Sequence, residues 1–185
     1  MMRKRLSVKR IEKKMSSESK KLLSALKVNS CSVFQFDDTH GTVANLIARE
    51  PFGGNGISSI MNYEEVKLIK KVIQKKKPLC VKDPSKNEAE IMGIDLNGNP
   101  GSERILIIPL FGSKDLVSGL MVIDATNRDR LSKKEVRLSL SISVSISHLL
   151  ARKRLLDLLG GIPNIYTTLG IELFEPTDRR RYRTF

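Results

Sequence analysis

Arg104-Ile105-Leu106-Ile107-Ile108-Pro109-Leu110 is followed by Gly112-Ser113-Lys114-Asp115 and then by Leu116-Val117-Ser118-Gly119-Leu120-Met121-Val122-Ile123-Asp124. Ile105 to Ile108 and Leu120 to Ile123 are unbroken apolar runs. A strand with one wet face alternates apolar and polar residues, so unbroken runs on either side of a Gly/Asp turn predict two paired strands covered on both faces. Something must therefore lie on each side of this hairpin.

Downstream, Ser132-Lys133-Lys134-Glu135 has the spacing of a capping box and predicts a helix from Lys133. The next residues, Leu138 to Ser147, alternate with period two and taken alone would read as a strand. Their flanks decide otherwise: a cap precedes them, His148-Leu149-Leu150-Ala151-Arg152-Lys153-Arg154 follows, and no turn residue interrupts before Gly160-Gly161 and Pro163. Small serines on such a helix allow close approach to a sheet or to a partner helix.

Upstream, residues 83–103 hold few large apolar side chains and many turn formers, among them Pro84, Gly93 and Asn97-Gly98-Asn99-Pro100-Gly101; Ile91, Met92, Ile94 and Leu96 are candidate anchors for a helical turn inside it. A loop of this length in a compact domain is usually functional, and this one is expected to act as a lid. Before it, Leu79-Cys80-Val81 reads as a short strand. Asn62 is expected to open a helix with Glu65 as its capping partner and Val66, Ile69 and Ile73 buried; Lys75-Lys76-Lys77 suits its carboxyl end and Pro78 stops it. Pro51-Phe52-Gly53-Gly54-Asn55-Gly56 reads as a loop and is only a fragment of a dinucleotide fingerprint, with Ser59 at the third glycine position. Cys31–Phe36 and Thr42–Ala48 read as a hairpin through the Asp37 to Gly41 turn. Ile11, Met15, Leu22 and Leu26 mark an amphipathic helix over residues 6–27.

The 185-residue chain carries 33 Lys+Arg against 20 Asp+Glu, a formal charge of +13, with 40% hydrophobic residues, enough for one packed domain. The excess sits at the ends: residues 1–21 hold nine Lys/Arg and two acids, and residues 176–185 hold four Arg and one Asp. Basic flanks of this kind are either solvated or meet phosphates, but no zinc finger, zipper or aromatic-Arg stretch supplies base readout. No apolar run reaches the roughly 18 residues of a bilayer crossing and the first twenty are too charged for a secretory signal, so a cytoplasmic protein without membrane contact is expected. Cys31 and Cys80 are expected to be two buried small hydrophobes, and with His40 and His148 the only histidines, no thiolate metal site is expected. Neither histidine accompanies a nucleophile and an acid in a recognisable motif, the carboxylates are scattered, and no Walker lysine, HExxH or EF-hand loop occurs. Nothing here proposes an enzyme or a resident cofactor.

Several phrases resemble the GAF domain family of small-molecule sensor and dimerisation modules. Pro51 to Ile60 is similar to that family's loop after its second strand, Lys77-Pro78-Leu79-Cys80-Val81-Lys82-Asp83 to its short central strand, Pro109 to Asp124 to its last hairpin, and Leu131-Ser132-Lys133-Lys134-Glu135 to the entry of its closing helix. The resemblance spans residues 18–159, so that 1–17 is expected to be a basic helical extension and 160–185 a tail, either a docking strand or a stub of something longer. It implies an α/β (α+β) fold: a central antiparallel sheet flanked by N- and C-terminal helices, with a loop-covered pocket on the other face. It further implies an unidentified small-molecule ligand, a homodimer formed through the terminal helices, and a signalling partner. Expected pocket residues are Phe34, Phe36, Cys80, Asp83, Ile107 and Asp124. Asn127-Arg128 and Glu135 match the cyclic-nucleotide motif of some members, but Leu131 stands in its aromatic position and Lys134 in an acidic one, which argues against that ligand. No segment resembles a bilin attachment site. The two cysteines lack the context of the members that reduce methionine sulfoxide, which leaves that thiol chemistry a minor alternative. The other alternative is a dimeric, non-catalytic scaffold whose basic tails contact a partner protein or nucleic acid.

Overall fold

The computed structural model describes residues 2–37, 42–51, 60–82, 85, 87, 88, 92, 104–112, 116–125 and 131–161. Helix α1 (Met2–Leu26) leads into strands β1 (Ser30–Phe36), β2 (Val43–Glu50) and β3 (Ile60–Asn62); a 3-10 turn (Tyr63–Glu65) and helix α2 (Lys67–Lys75) precede β4 (Leu79–Lys82), β5 (Arg104–Phe111), β6 (Val117–Asp124) and helix α3 (Lys133–Gly161). The six strands form one sheet in the order β3-β2-β1-β6-β5-β4, every neighbouring pair antiparallel.

The central hairpin is covered on both sides, as its unbroken runs require. Leu106, Ile108, Leu110, Met121 and Ile123 point to one face, where Ile11, Met15, Leu22 and Leu26 of α1 and Ile146 and Leu150 of α3 close over them. Ile105, Ile107, Leu120 and Val122 point to the opposite face, packed with Phe34, Phe36, Ala44, Met61, Val66, Met92 and the α2 side chains Ile69 and Val72. We refer to these as the helix face and the α2 face.

Helix α3 starts where its capping box places it: the Ser132 N–H donates to Glu135 Oε2 at 2.7 Å and the Glu135 N–H to Ser132 Oγ at 3.3 Å. The period-two run inside it resolves onto a 3.6-residue helix. Ser139, Ser143 and Ser147, four residues apart, are buried toward the core, while Ser141 and Ser145 are exposed. The buried hydroxyls are satisfied by backbone: Ser139 Oγ donates to the Glu135 carbonyl at 2.9 Å, Ser143 Oγ to that of Leu140 at 2.8 Å, and Ser147 Oγ accepts the Phe111 N–H of β5 at 3.2 Å. Close approach is tightest at Gly119, where the space a Cβ would occupy is 2.2 Å from the Phe34 carbonyl oxygen and 2.8 Å from Leu150 Cδ2.

Two expectations need correction. Asn62 does not open α2; it ends β3 and caps the 3-10 turn, its Oδ1 accepting the Glu64 N–H at 3.3 Å and its Nδ2 donating to Glu65 Oε1 at 2.7 Å. Val66 is extended, with φ −106° and ψ 100°, so it interrupts the helical backbone and α2 begins at Lys67. The Asn62/Glu65 pair reads identically in sequence whether the turn behind it continues as α-helix or stops. At the other end Lys76 adopts φ 51° and its N–H bonds the Val72 carbonyl at 2.9 Å, closing α2 before Pro78. The second correction concerns Cys80, which is exposed on the edge strand β4 while Cys31 is buried; both are free thiols.

Between β1 and β2 the register slips at Val33/Phe34: Phe34 opposes Leu46, but Val33 opposes Ala48, which leaves Ile47 as an extra residue in β2. This is a β-bulge, and it shifts the facing of every β2 residue beyond it.

Candidate functional site

Partner residues across a sheet share a face, so the registers locate each expected pocket residue. Arg49, Ser32, Val122, Ile107 and Leu79 form one row across five strands; Ser30, Asp124, Ile105 and Val81 form the next; Leu46, Phe34 and Leu120 form a third. Phe34, Phe36, Ile107 and Asp124 thus lie together on the α2 face, all four buried. Cys80 does not join them. It belongs to the row Cys31, Ile123, Leu106, Cys80, which points to the helix face. Asp83 lies outside the described residues, as do the glycine loop 53–56, His40, Asn127 and Arg128.

Part of the expected lid segment is described, and it is seated on the α2 face. Met92 is fully buried there. Its N–H bonds the Glu88 carbonyl at 3.1 Å. The Glu88 carboxylate accepts the Ser85 hydroxyl at 2.9 Å and the Leu68 N–H at 3.4 Å. A carboxylate against the first turn of α2 is favoured by the helix dipole, so Glu88 ties this segment to α2. Phe36 and Tyr63 close another part of the face, their ring centroids 4.7 Å apart. Burial, and then the Glu64 charge, raise the Tyr63 hydroxyl pKa above its ordinary value.

The apolar rows give way at one end to a polar group: Arg49, half-buried, and Asp124, 5% exposed, with the buried hydroxyl residues Ser30 and Ser32. Burial lowers the Arg49 guanidinium pKa, and the negative charge of Asp124 works against that shift. Desolvating such groups costs more than packing hydrocarbon would, and an opposite charge nearby offsets part of that cost. Asp124 was legible in the sequence as the end of a strong strand. Arg49 and Ser32 were not, because the bulge at Ile47 decides that Arg49 faces this side. Glu88 was hidden in a turn-rich stretch, its S-x-x-E spacing with Ser85 being the one available signal.

On the helix face a second buried carboxylate, Glu50, is hydrogen-bonded by Ser16 Oγ and lies 3.8 Å from Lys20 Nζ. Beside it the Cys31 thiol is pushed up to about 12, chiefly by burial, with Glu50 adding to the rise and the Ser19 hydroxyl opposing it. Cys31 is consequently a neutral thiol at physiological pH. It is three strands from Cys80, about 14 Å at normal strand spacing, so the two do not form a thiol pair. Among the described residues no group of three His, Cys, Asp or Glu is placed to hold a metal ion, and no helix is long and apolar enough to cross a membrane.

Neither a protein-family model nor a curated protein matches this sequence. The architecture, by contrast, is shared with many solved structures. A GAF domain/HD domain protein from Geobacter sulfurreducens superposes with a TM-score of 0.64 at 11% identity, covering 80% of this chain and 97% of its own. A type II free methionine-R-sulfoxide reductase from Thermoplasma acidophilum gives 0.60 at 16% identity, covering 78% and 95%. The phycoerythrobilin-bound GAF domain of a cyanobacterial phytochrome gives 0.56 at 13%, covering 83% and 94%. The fold is that of GAF domains.

Proposed function

We propose that this GAF-fold chain is a small-molecule-sensing or regulatory domain that dimerises through its terminal helices. The observation that carries the reading is the α2 face: an apolar layer of Phe34, Phe36, Ile107, Leu120 and Val122 that ends in the half-buried Arg49 and the buried Asp124, with Met92 seated on it. A small ligand needs an apolar wall with a few fixed polar groups, and this arrangement supplies both. A ligand held between the sheet and the segment tied by Glu88 favours one placement of α2, and the sheet passes that preference to α1 and α3 on its other side. Dimerisation is supported by Val144, Leu155 and Leu158, exposed at 55%, 57% and 64%, which with Ala151 follow a seven-residue repeat along the outside of α3. The role is regulatory rather than catalytic: Cys31 is buried and neutral, and Cys80 lies on the wrong face of the sheet for the pocket.

The test is a thermal-shift screen with nucleotides, amino acids, nitrate and 2-oxo acids, run beside light scattering. A ligand at a hundred times its dissociation constant adds about 2.7 kcal/mol of stability, and Ile107→Lys or Asp124→Ala removes that gain. Leu155→Glu converts the dimer to a monomer. A dimer that responds to no class of ligand supports the scaffold alternative instead, and a monomer at micromolar concentration removes the dimer.

A further inference from the structure

The outward face of α1 belongs neither to the pocket nor to the exposed row on α3. Ile11, Met15, Leu22 and Leu26 dock α1 on the sheet, which turns Lys9, Arg10, Lys13, Lys14, Lys20 and Lys21 to solvent in pairs along about 18 Å of helix. The acids near this face are engaged elsewhere or only at its far end. Glu12 lies 3.9 Å from Lys153 of α3, while Glu18 pairs with Lys21 at 2.7 Å and Glu50 with Lys20 at 3.8 Å. Among the described residues no carboxylate pairs with Lys9, Arg10, Lys13 or Lys14. Four unneutralised cations within two helical turns repel one another, a cost that folding gains nothing from.

We propose that this face binds the phosphate backbone of duplex nucleic acid without reading its sequence. Duplex DNA carries one charge per about 1.7 Å of axis, so the spacing of these cations is easily matched by phosphates. The residues between them on the exposed side are Ser17, Ser24 and Ala25, with no aromatic to stack on unpaired bases. An anionic membrane is the less suitable partner. A helix that binds lipid inserts its apolar face, and here that face is already spent on the sheet. The binding stands apart from the ligand reading of the α2 face, and an inert pocket leaves it intact.

Fluorescence anisotropy of a labelled 20-base-pair duplex, titrated with the full chain between 50 and 200 mM KCl, tests this. The expected log–log salt slope is about −0.9 per phosphate neutralised. Lys13→Gln/Lys14→Gln makes the slope shallower by about 2 and weakens binding at 50 mM KCl regardless of duplex sequence, while Lys75→Gln/Lys77→Gln, at the end of α2, changes neither. Unchanged folding of each variant is read from its thermal midpoint. A slope indifferent to Lys13 and Lys14, no retention at 50 mM KCl, or binding to phosphatidylglycerol vesicles in place of the duplex overturns the proposal.

Discussion

Gly119→Ala is the sharpest probe of how the sheet meets its helices. The added methyl would sit 2.2 Å from the Phe34 carbonyl oxygen and 2.8 Å from Leu150 Cδ2, whereas an unstrained C···O contact needs more than 3 Å. The 2.8 Å contact is with the end of a side chain and yields. The 2.2 Å contact is with backbone, and relieving it means prising β1 from β6 where Phe34 opposes Leu120 and Gln35 opposes Gly119. Overpacking of this kind costs about 1–3 kcal/mol and each ladder hydrogen bond lost about 1 more, against roughly 0.4–1 kcal/mol regained from the stiffer unfolded chain. The net loss is about 3 kcal/mol, or about 6–12 °C in thermal midpoint for a domain of this size. Gly112→Ala is the control: its nearest neighbours are the Ser118 Cβ and Oγ at 3.2 and 3.4 Å, an overlap about an ångström smaller than at Gly119, and neither glycine has a positive φ. Differential scanning fluorimetry should show Gly112→Ala within about 1 kcal/mol of the parent. Truncating Leu150 beside Gly119→Ala should not rescue it, since the backbone clash remains. A Gly119→Ala midpoint within 2 °C of the parent, or equal losses at the two glycines, would refute the close-approach reasoning.

Two further outcomes concern the cysteines. A disulfide-exchange reagent at pH 8 should titrate one thiol, Cys80, in the folded protein and two in denaturant; two fast thiols in the native state would contradict the burial of Cys31. The Cys31 thiol, held at about 12 against an ordinary 9.0, stays protonated in the folded chain while the unfolded chain loses that proton. Its contribution to stability is therefore complete well below pH 9 and is lost progressively as pH rises through 9 toward 12. Urea melts of the parent and of Cys31→Ala across that range should diverge accordingly, the variant having the flatter profile; parallel profiles would show that Cys31 does not titrate in this way.

Much of the fold is legible in the sequence because it rests on short-range chemistry. The unbroken runs 105–108 and 120–123 announce a sheet covered twice, and Ser132 with Glu135 marks the start of α3 to the residue. The serine alternation is legible only through its flanks, since every second residue on a helix falls by turns inside and outside. Local reading fails where tertiary pairing decides. Asn62 and Glu65 make the same local bonds in a 3-10 turn as in a helix, and Cys80 occupies a strand whose facing depends on its partner at Leu106. Of the expected pocket residues, Phe34, Phe36, Ile107 and Asp124 share one face because alternation from the central strands is transmitted in register. Arg49 is not legible there because its facing depends on a slip two residues earlier.

That slip sorts charge. In an unbulged hairpin continued from Phe36 and Ala44, Arg49 would stand opposite Cys31, under α1 with its own lysines, and Glu50 would be carried to the side of Asp124. Cation would meet cations across one surface and acid would meet acid across the other. The one supernumerary residue, Ile47, exchanges the two, giving each surface its counterion. Two electrostatic partnerships on opposite sides of the sheet therefore depend on a single insertion, and losing that residue would disrupt more than replacing any one of the charges it distributes.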